Sequence, residues 1–306
     1  MKNVILGNRF SASAVAMGCM RISGMERLDV AALVRTAFDC GVDFFDHADV
    51  YGRGGSETVF AQAVKDEKIP RDKIFLQTKC GIKRGLFDFS KEHIVNSLEN
   101  SLQRLETDYI DLFLLHRPDT LMEPEEVAEA FQLLHSAGKV RYFGVSNHNA
   151  MQIRLLNKYL GDDQKIIVNQ LQFSPAHTGM INNGLNVNMT NEAALDRDGS
   201  ILEFCRYEDI TIQAWSPFLY GIFEGVFLTS DKYADLNTAI ATMASEKNIS
   251  PEALVIAWIL RHPAKMQVIP GTTNKDRLAG ICKGSSVELS REEWYKIYLA
   301  AGNILP

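Results

Sequence analysis

The sequence predicts a (β/α)8 TIM barrel with a short N-terminal hairpin and long loops at one rim. Three observations carry that prediction. Eight short segments are apolar almost throughout, amphipathic helical stretches lie between them, and no linker divides the 306 residues, so a single domain over 1–306 is expected. The eight predicted strands are 14–17, 42–45, 74–76, 109–115, 140–145, 166–168, 210–215 and 267–269. All but the first are rich in β-branched, leucine or aromatic residues and nearly continuous in apolar character, as strands buried on both faces of a parallel sheet must be. No G-x-G-x-x-G follows the first strand, which argues against a doubly wound sheet.

The connecting helices read from their ends. Asp29 is the expected cap of the first, with Val30, Leu33, Val34, Ala37 and Phe38 on one face and Gly41 as its left-handed stop. Ser56 is expected to cap the second and Ser90 the third, whose inner face is Ile94, Leu98, Leu102 and Leu105. Pro124 opens the fourth and Gly138 ends it. The first thirteen residues are expected to form a hairpin turning at Gly7-Asn8 across one end of the barrel. Segment 174–200, rich in asparagine, lacks an apolar period and reads as a long irregular loop.

Composition narrows the function classes. The net charge of -6 arises from 32 basic and 38 acidic residues with no long run of either sign, so neither nucleic acid nor an anionic membrane is an expected partner. The five cysteines are odd in number and contain no C-x-x-C pair, which argues against a disulfide framework or a zinc site. No apolar segment follows Lys2, and the stretch 109–115 is too short to span a membrane and contains Asp111. A cytoplasmic enzyme is the expectation.

In such a barrel the active site lies at the carboxyl ends of the strands. There the second strand delivers Asp46, His47, Asp49 and Tyr51, the third Lys79 and the fourth His116. The fifth ends on Ser146 and Asn147, the sixth on Asn169 and Gln170, the seventh on Trp215 and Ser216, the eighth on Gly271 and Thr272. Asp46, Lys79, His116 and Tyr51 together suit proton transfer. A free phenol titrates near ~10, and a neighbouring ammonium is expected to lower that value, with Asp46 holding Lys79 charged and in place. His116 would orient a carbonyl or help to relay the proton. Taken singly, each residue has a plainer reading: a buried ion pair, a rim tyrosine, a strand-end histidine. His47 and Asp49 mimic a metal-ligand spacing, but a metal needs three or four ligands and Lys79 would bring a cation into the same place; no metal is expected. Phe87, Phe89, Met20 and Tyr220 fall in loops near the site and read either as pocket lining or as ordinary packing.

The segment Phe44-Phe45-Asp46-His47-Ala48-Asp49-Val50-Tyr51-Gly52 resembles the signature of the aldo-keto reductases. So do Asp108 to Leu112 with His116-Arg117-Pro118, Gly144-Val145-Ser146-Asn147, Asn169-Gln170, and Ile269-Pro270-Gly271-Thr272 with Arg277, in the family's order. The likeness is to the bacterial branch with His-Arg-Pro-Asp and Trp-Ser-Pro-Phe sequences. It implies reduction of an aldehyde or ketone with NADPH, and a catalytic tetrad of Asp46, Tyr51, Lys79 and His116. It also implies that Ser146, Asn147 and Gln170 bind the nicotinamide carboxamide and that Trp215 stacks on the ring. Ser216 and Leu219 would meet the pyrophosphate, Thr272 and Arg277 the 2′-phosphate. Gly271, Gly280 and Ile281 depart from the family's adenosine-binding pattern and leave NADH as a weaker second cofactor. The resemblance further implies a small-molecule carbonyl substrate and a monomer or weak oligomer. The alternative is an NADPH-binding regulatory or sensor module with slow turnover.

Overall fold

A computed structural model describes residues 1–221 and 224–306. The chain opens with an antiparallel hairpin, β1 (Asn3–Leu6) and β2 (Phe10–Ser13). The barrel strands follow as β3 (Met17–Gly18), β4 (Phe44–Asp46), β5 (Phe75–Cys80), β8 (Ile110–Leu115), β9 (Val140–Ser146), β10 (Ile166–Gln172), β11 (Thr211–Trp215) and β12 (Gln267–Ile269). Between β5 and β8 lies a small rim hairpin, β6 (Ile82–Lys83) and β7 (Leu86–Phe87). The eight barrel strands pair in parallel, in chain order from β3 to β12. Closure comes from a parallel bridge between Val15 and Val268: Ala16 N donates to Val268 O at 2.8 Å and Val268 N to Ala14 O at 2.9 Å. The first strand expected at 14–17 is therefore shifted and short: its ladder is Met17–Gly18, preceded by the single bridge at Val15.

The helices are α1 (Arg27–Asp39), α2 (Gly55–Asp66), α3 (Lys91–Leu105), α4 (Pro124–Ser136), α5 (Ala150–Tyr159), α6 (Gly179–Leu185), α7 (Ile201–Tyr207), α8 (Ala234–Glu246), α9 (Pro251–Leu260), α10 (Lys275–Lys283) and α11 (Arg291–Ala300). The expected stops Gly41 and Gly138 have φ of +83° and +69°, Ser90 caps α3 by accepting from His93 N, and Pro124 opens α4. Two expected caps are corrected. Glu26 stands at the cap of α1, and Asp29 lies inside the first turn, where its charge still suits the helix's positive end. Gly54, at φ +88°, precedes α2, and Ser56 is buried within the first turn with its Oγ near Met20 O. Segment 174–200 is also more ordered than its pattern suggested. It carries α6 and a 3-10 turn at Glu192–Ala194, and asparagine-to-asparagine hydrogen bonds such as Asn191 to Asn186 replace an apolar period.

Apolar packing lies in two places. The larger core sits between the strands and the surrounding helices. The smaller fills the amino-terminal end of the barrel, where Val4, Leu6 and Ala12 of the hairpin pack with Phe44, Leu112, Ile167 and Val168. Gly7 is pressed so closely there that a Cβ would come 2.4 Å from Ile167 Cβ, and its N–H donates to Thr211 Oγ1 at 2.9 Å. The hairpin therefore forms the floor of the barrel, opposite the carboxyl ends of the strands. Among the described residues no helix is long and apolar enough to cross a membrane, and all five cysteines are free.

Candidate active site

Strands β4, β5 and β8 are neighbours, so the groups at their carboxyl ends converge. Lys79 is completely buried; its Nζ donates to Asp46 Oδ1 and to the His47 carbonyl, both at 2.7 Å, and to the Tyr51 hydroxyl at 3.3 Å. An ammonium removed from water needs its three protons satisfied, and these three partners do that. The His116 ring meets Tyr51 edge to face, with centroids 5.8 Å apart, and its backbone N–H donates to Cys80 O. The structure therefore brings all four residues of the expected tetrad together.

Their electrostatics depart from expectation at Tyr51. Its hydroxyl lies deep, and burial raises its pKa above the ordinary tyrosine value although the Lys79 charge pulls the other way. The expected net lowering is corrected: the loss of solvent outweighs the ammonium. Burial pulls Lys79 down, but Asp46 and Tyr51 more than offset it and the ammonium is held above its usual value. His116 is driven well below the usual histidine range, by shielding from water first and then by the charges of Lys79 and Arg117. At neutral pH the site thus holds a protonated phenol, an ammonium and a neutral imidazole.

Neither candidate metal ligand on the second strand points to a metal centre. The His47 ring is wholly buried, packs edge to face on Phe60 at 4.5 Å, and both its nitrogens lack partners. Burial and Lys79 push it down to about 3. Asp49 is pushed up to about 7, by burial and then by the charge of Glu57. Among the described residues no three His, Cys, Asp or Glu side chains gather in a metal-holding arrangement.

The expected cofactor residues form a second, connected group. Ser146 Oγ donates to Gln170 O at 3.1 Å, Asn147 Nδ2 to Ser146 Oγ at 2.7 Å, and Trp215 Nε1 to Asn147 Oδ1 at 3.3 Å. Asn147 and Ser216 take left-handed backbone conformations, φ +59° and +51°, as each strand turns into its loop. Leu219 is tied to the sixth-strand loop, its carbonyl accepting from Ser174 Oγ at 2.8 Å. Thr272 and Arg277 flank the start of α10, capped by Asn274; Arg277 is exposed and stands 3.6 Å from Glu252. Of the residues expected near the site, Phe89 is buried against His148 and Gly81, while Phe87 and Met20 are exposed and Tyr220 packs on Tyr233.

Sequence reasoning missed several groups. Arg117 is half-buried and lies 5.8 Å over the Trp215 ring. Glu57 is buried between Arg104 and Thr78, at 2.7 and 2.6 Å, beneath the Tyr51 loop. Gln77, Gln213 and Gln267 are fully buried inside the barrel. The available signal for the glutamines was one amide in each of the strands FLQTKC, TIQAW and QVI.

With a parallel eight-stranded barrel and a tyrosine–lysine–aspartate cluster at its carboxyl rim established, comparison with known proteins is direct. The model of the aldo/keto reductase family matches residues 14–299, and the chain belongs to that family. It is 35% identical to an uncharacterized oxidoreductase, YcsN, of Bacillus subtilis (strain 168), over 98% of each chain. It is 33% identical to a 6-dehydroglucose reductase of Novosphingobium aromaticivorans, over 97% of this chain and 94% of that one. Among solved structures, an aldo-keto reductase from Klebsiella pneumoniae in complex with NADPH superposes with a TM-score of 0.76 at 25% identity, over 97% of this chain and 93% of that one.

Proposed function

We propose that the chain reduces an aldehyde or ketone to the alcohol with NADPH, Tyr51 giving the proton. The observation that carries this reading is the Asp46–Lys79–Tyr51 contact, closed by His116, at the mouth of the barrel. The polar network of Ser146, Asn147, Gln170 and Trp215 on the next strands fits a nicotinamide carboxamide, which both donates and accepts hydrogen bonds. In this reading those side chains hold the nicotinamide end, Ser216 and Leu219 the pyrophosphate, and Thr272 and Arg277 the 2′-phosphate. The bound nicotinamide supplies the hydride. Tyr51 is protonated across neutral pH, as an ordinary phenol is, and burial raises its pKa further. As negative charge develops on a carbonyl oxygen, that hydroxyl donates to it, and the Lys79 ammonium stabilises the phenolate left behind. Asp46 keeps Lys79 aimed at Tyr51, and neutral His116 is suited to orienting the carbonyl rather than to acting as an acid.

The kinship to a 6-dehydroglucose reductase favours sugar aldehydes as substrates to test beside simple ones. Purified protein should oxidise NADPH, followed by absorbance, with 4-nitrobenzaldehyde or an aldehyde of this polyhydroxy class. Tyr51→Phe should lower kcat by about 10²-fold or more, the usual worth of a positioned general acid. A broad panel without turnover, or a phenylalanine variant with full activity, refutes the proposal; tight NADPH binding without turnover would point to a sensor.

A further inference from the structure

Four glutamines, Gln77, Gln170, Gln213 and Gln267, project into the barrel and are buried to 3% exposure or less. Gln170, Gln213 and Gln267 are register neighbours on β10, β11 and β12. Gln170 Nε2 donates to Gln213 Oε1 at 3.1 Å, Gln213 Nε2 to Gln267 Oε1 at 2.7 Å, and Gln267 Nε2 to the Ser13 carbonyl at 2.8 Å. The direction of this chain is forced. A backbone carbonyl can only accept, so Gln267 must present its nitrogen to Ser13 and its oxygen to Gln213, and the same choice passes along to Gln170. At the other end the Asp46 carboxylate accepts from Gln170 Nε2 at 3.1 Å, which independently demands the same orientation.

Two consequences follow. Both N–H groups of Gln170 are committed, one to Asp46 and one to Gln213, while no donor among the described residues meets its Oε1. In addition, the three amide dipoles align head to tail with their negative end at that oxygen, and hydrogen bonds in such a chain strengthen one another. We propose that Gln213 and Gln267 are positioning residues for the cofactor, making Gln170 Oε1 an enriched acceptor for the N–H of a nicotinamide carboxamide. This rests on the reading above that Gln170 meets the carboxamide.

The test is binding rather than turnover, on the full chain. Dissociation constants are measured by tryptophan fluorescence or calorimetry for NADP⁺ and for its 3-acetylpyridine analogue, whose methyl ketone has no N–H to offer. Gln213→Met, similar in volume but unable to hydrogen-bond along the chain, should weaken NADP⁺ binding by up to about twofold, the size of one cooperative increment. Binding of the analogue should be nearly unchanged. Gln267→Met should move the ratio of the two constants in the same direction by less, and it carries the test if Gln213→Met does not fold. A wild-type ratio in both variants, or equal weakening of both ligands, as a merely structural role would give, overturns the proposal. Gln170→Met should abolish the preference for the amide; an unchanged ratio there overturns the carboxamide assignment itself and the proposal with it.

Discussion

Replacing Lys79 with methionine would keep the volume and remove the charge at the centre of the site. The magnitude follows from what Asp46 would retain. Both partners are buried, with side chains 0% and 4% exposed, and breaking such a pair by deleting one partner costs about 3–5 kcal/mol because the other charge is left uncompensated. Asp46 Oδ1 would still accept from Gln77 and Gln170, so the lower end, about 3 kcal/mol, is expected. In a chain of this size that is a fall in Tm of roughly 5 °C, readable by differential scanning fluorimetry. Turnover should drop by about 10²-fold or more, since Tyr51 loses the cation that stabilises its conjugate base. The double variant Asp46→Asn/Lys79→Met removes the stranded charge and should recover stability to within about 1 kcal/mol of wild type, without recovering activity. An unchanged Tm in the single variant, or a double variant no more stable than the single, would refute the reasoning.

Three further outcomes are expected. Asp49 is raised to about 7, so between pH 4 and 7 the folded chain holds a proton that the unfolded chain has lost, and stability falls as pH rises through that window; Asp49→Asn should therefore raise Tm at pH 8 and scarcely at pH 4, and equal shifts at both would count against it. His47 behaves oppositely: lowered to about 3, it refuses a proton that the unfolded chain binds below its ordinary value, so stability is lost on acidification. Because both ring nitrogens are unpaired, His47→Leu should stabilise the fold by about 1 kcal/mol at neutral pH and by more at pH 5; a loss of stability at pH 5 would sink this. Arg277→Ala should raise KM for NADPH about tenfold, the worth of one charged hydrogen bond, leave KM for NADH unchanged, and leave Tm unchanged because its pairing is at the surface; equal effects on both cofactors would remove the 2′-phosphate role.

Much of the fold could be read from the chain because a strand enclosed on both faces has no polar side to interrupt its apolar run; 109–115 and 210–215 were placed almost to the residue. Where strands carry inward polar groups the reading stopped short. Gln77, Thr78 and Lys79 ended the predicted third strand at Leu76, and Asn169 and Gln170 ended the sixth at Val168, although both strands continue, to Cys80 and Gln172. The convergence of Asp46, Lys79 and His116 could be read because they stand at the ends of adjacent strands, with Tyr51 on the loop that follows Asp46. The direction of the Tyr51 shift could not, because burial depends on what the rest of the chain places around the hydroxyl. The glutamine chain stayed hidden for a related reason: amides on β10, β11 and β12 gain meaning only when the register sets Gln170, Gln213 and Gln267 side by side.

The β1–β2 hairpin makes the barrel a blind cup. With Gly7 seated on Ile167 and Val4, Leu6 and Ala12 packed beneath the strands, the described residues close the amino-terminal end beneath Tyr51. In the proposed reaction, cofactor and carbonyl compound would then both approach from the carboxyl rim, and whichever seats deeper would arrive first and depart last. Sharing that rim would impose an order on such a cycle, and a lingering product would block the exchange of its partner as well as its own.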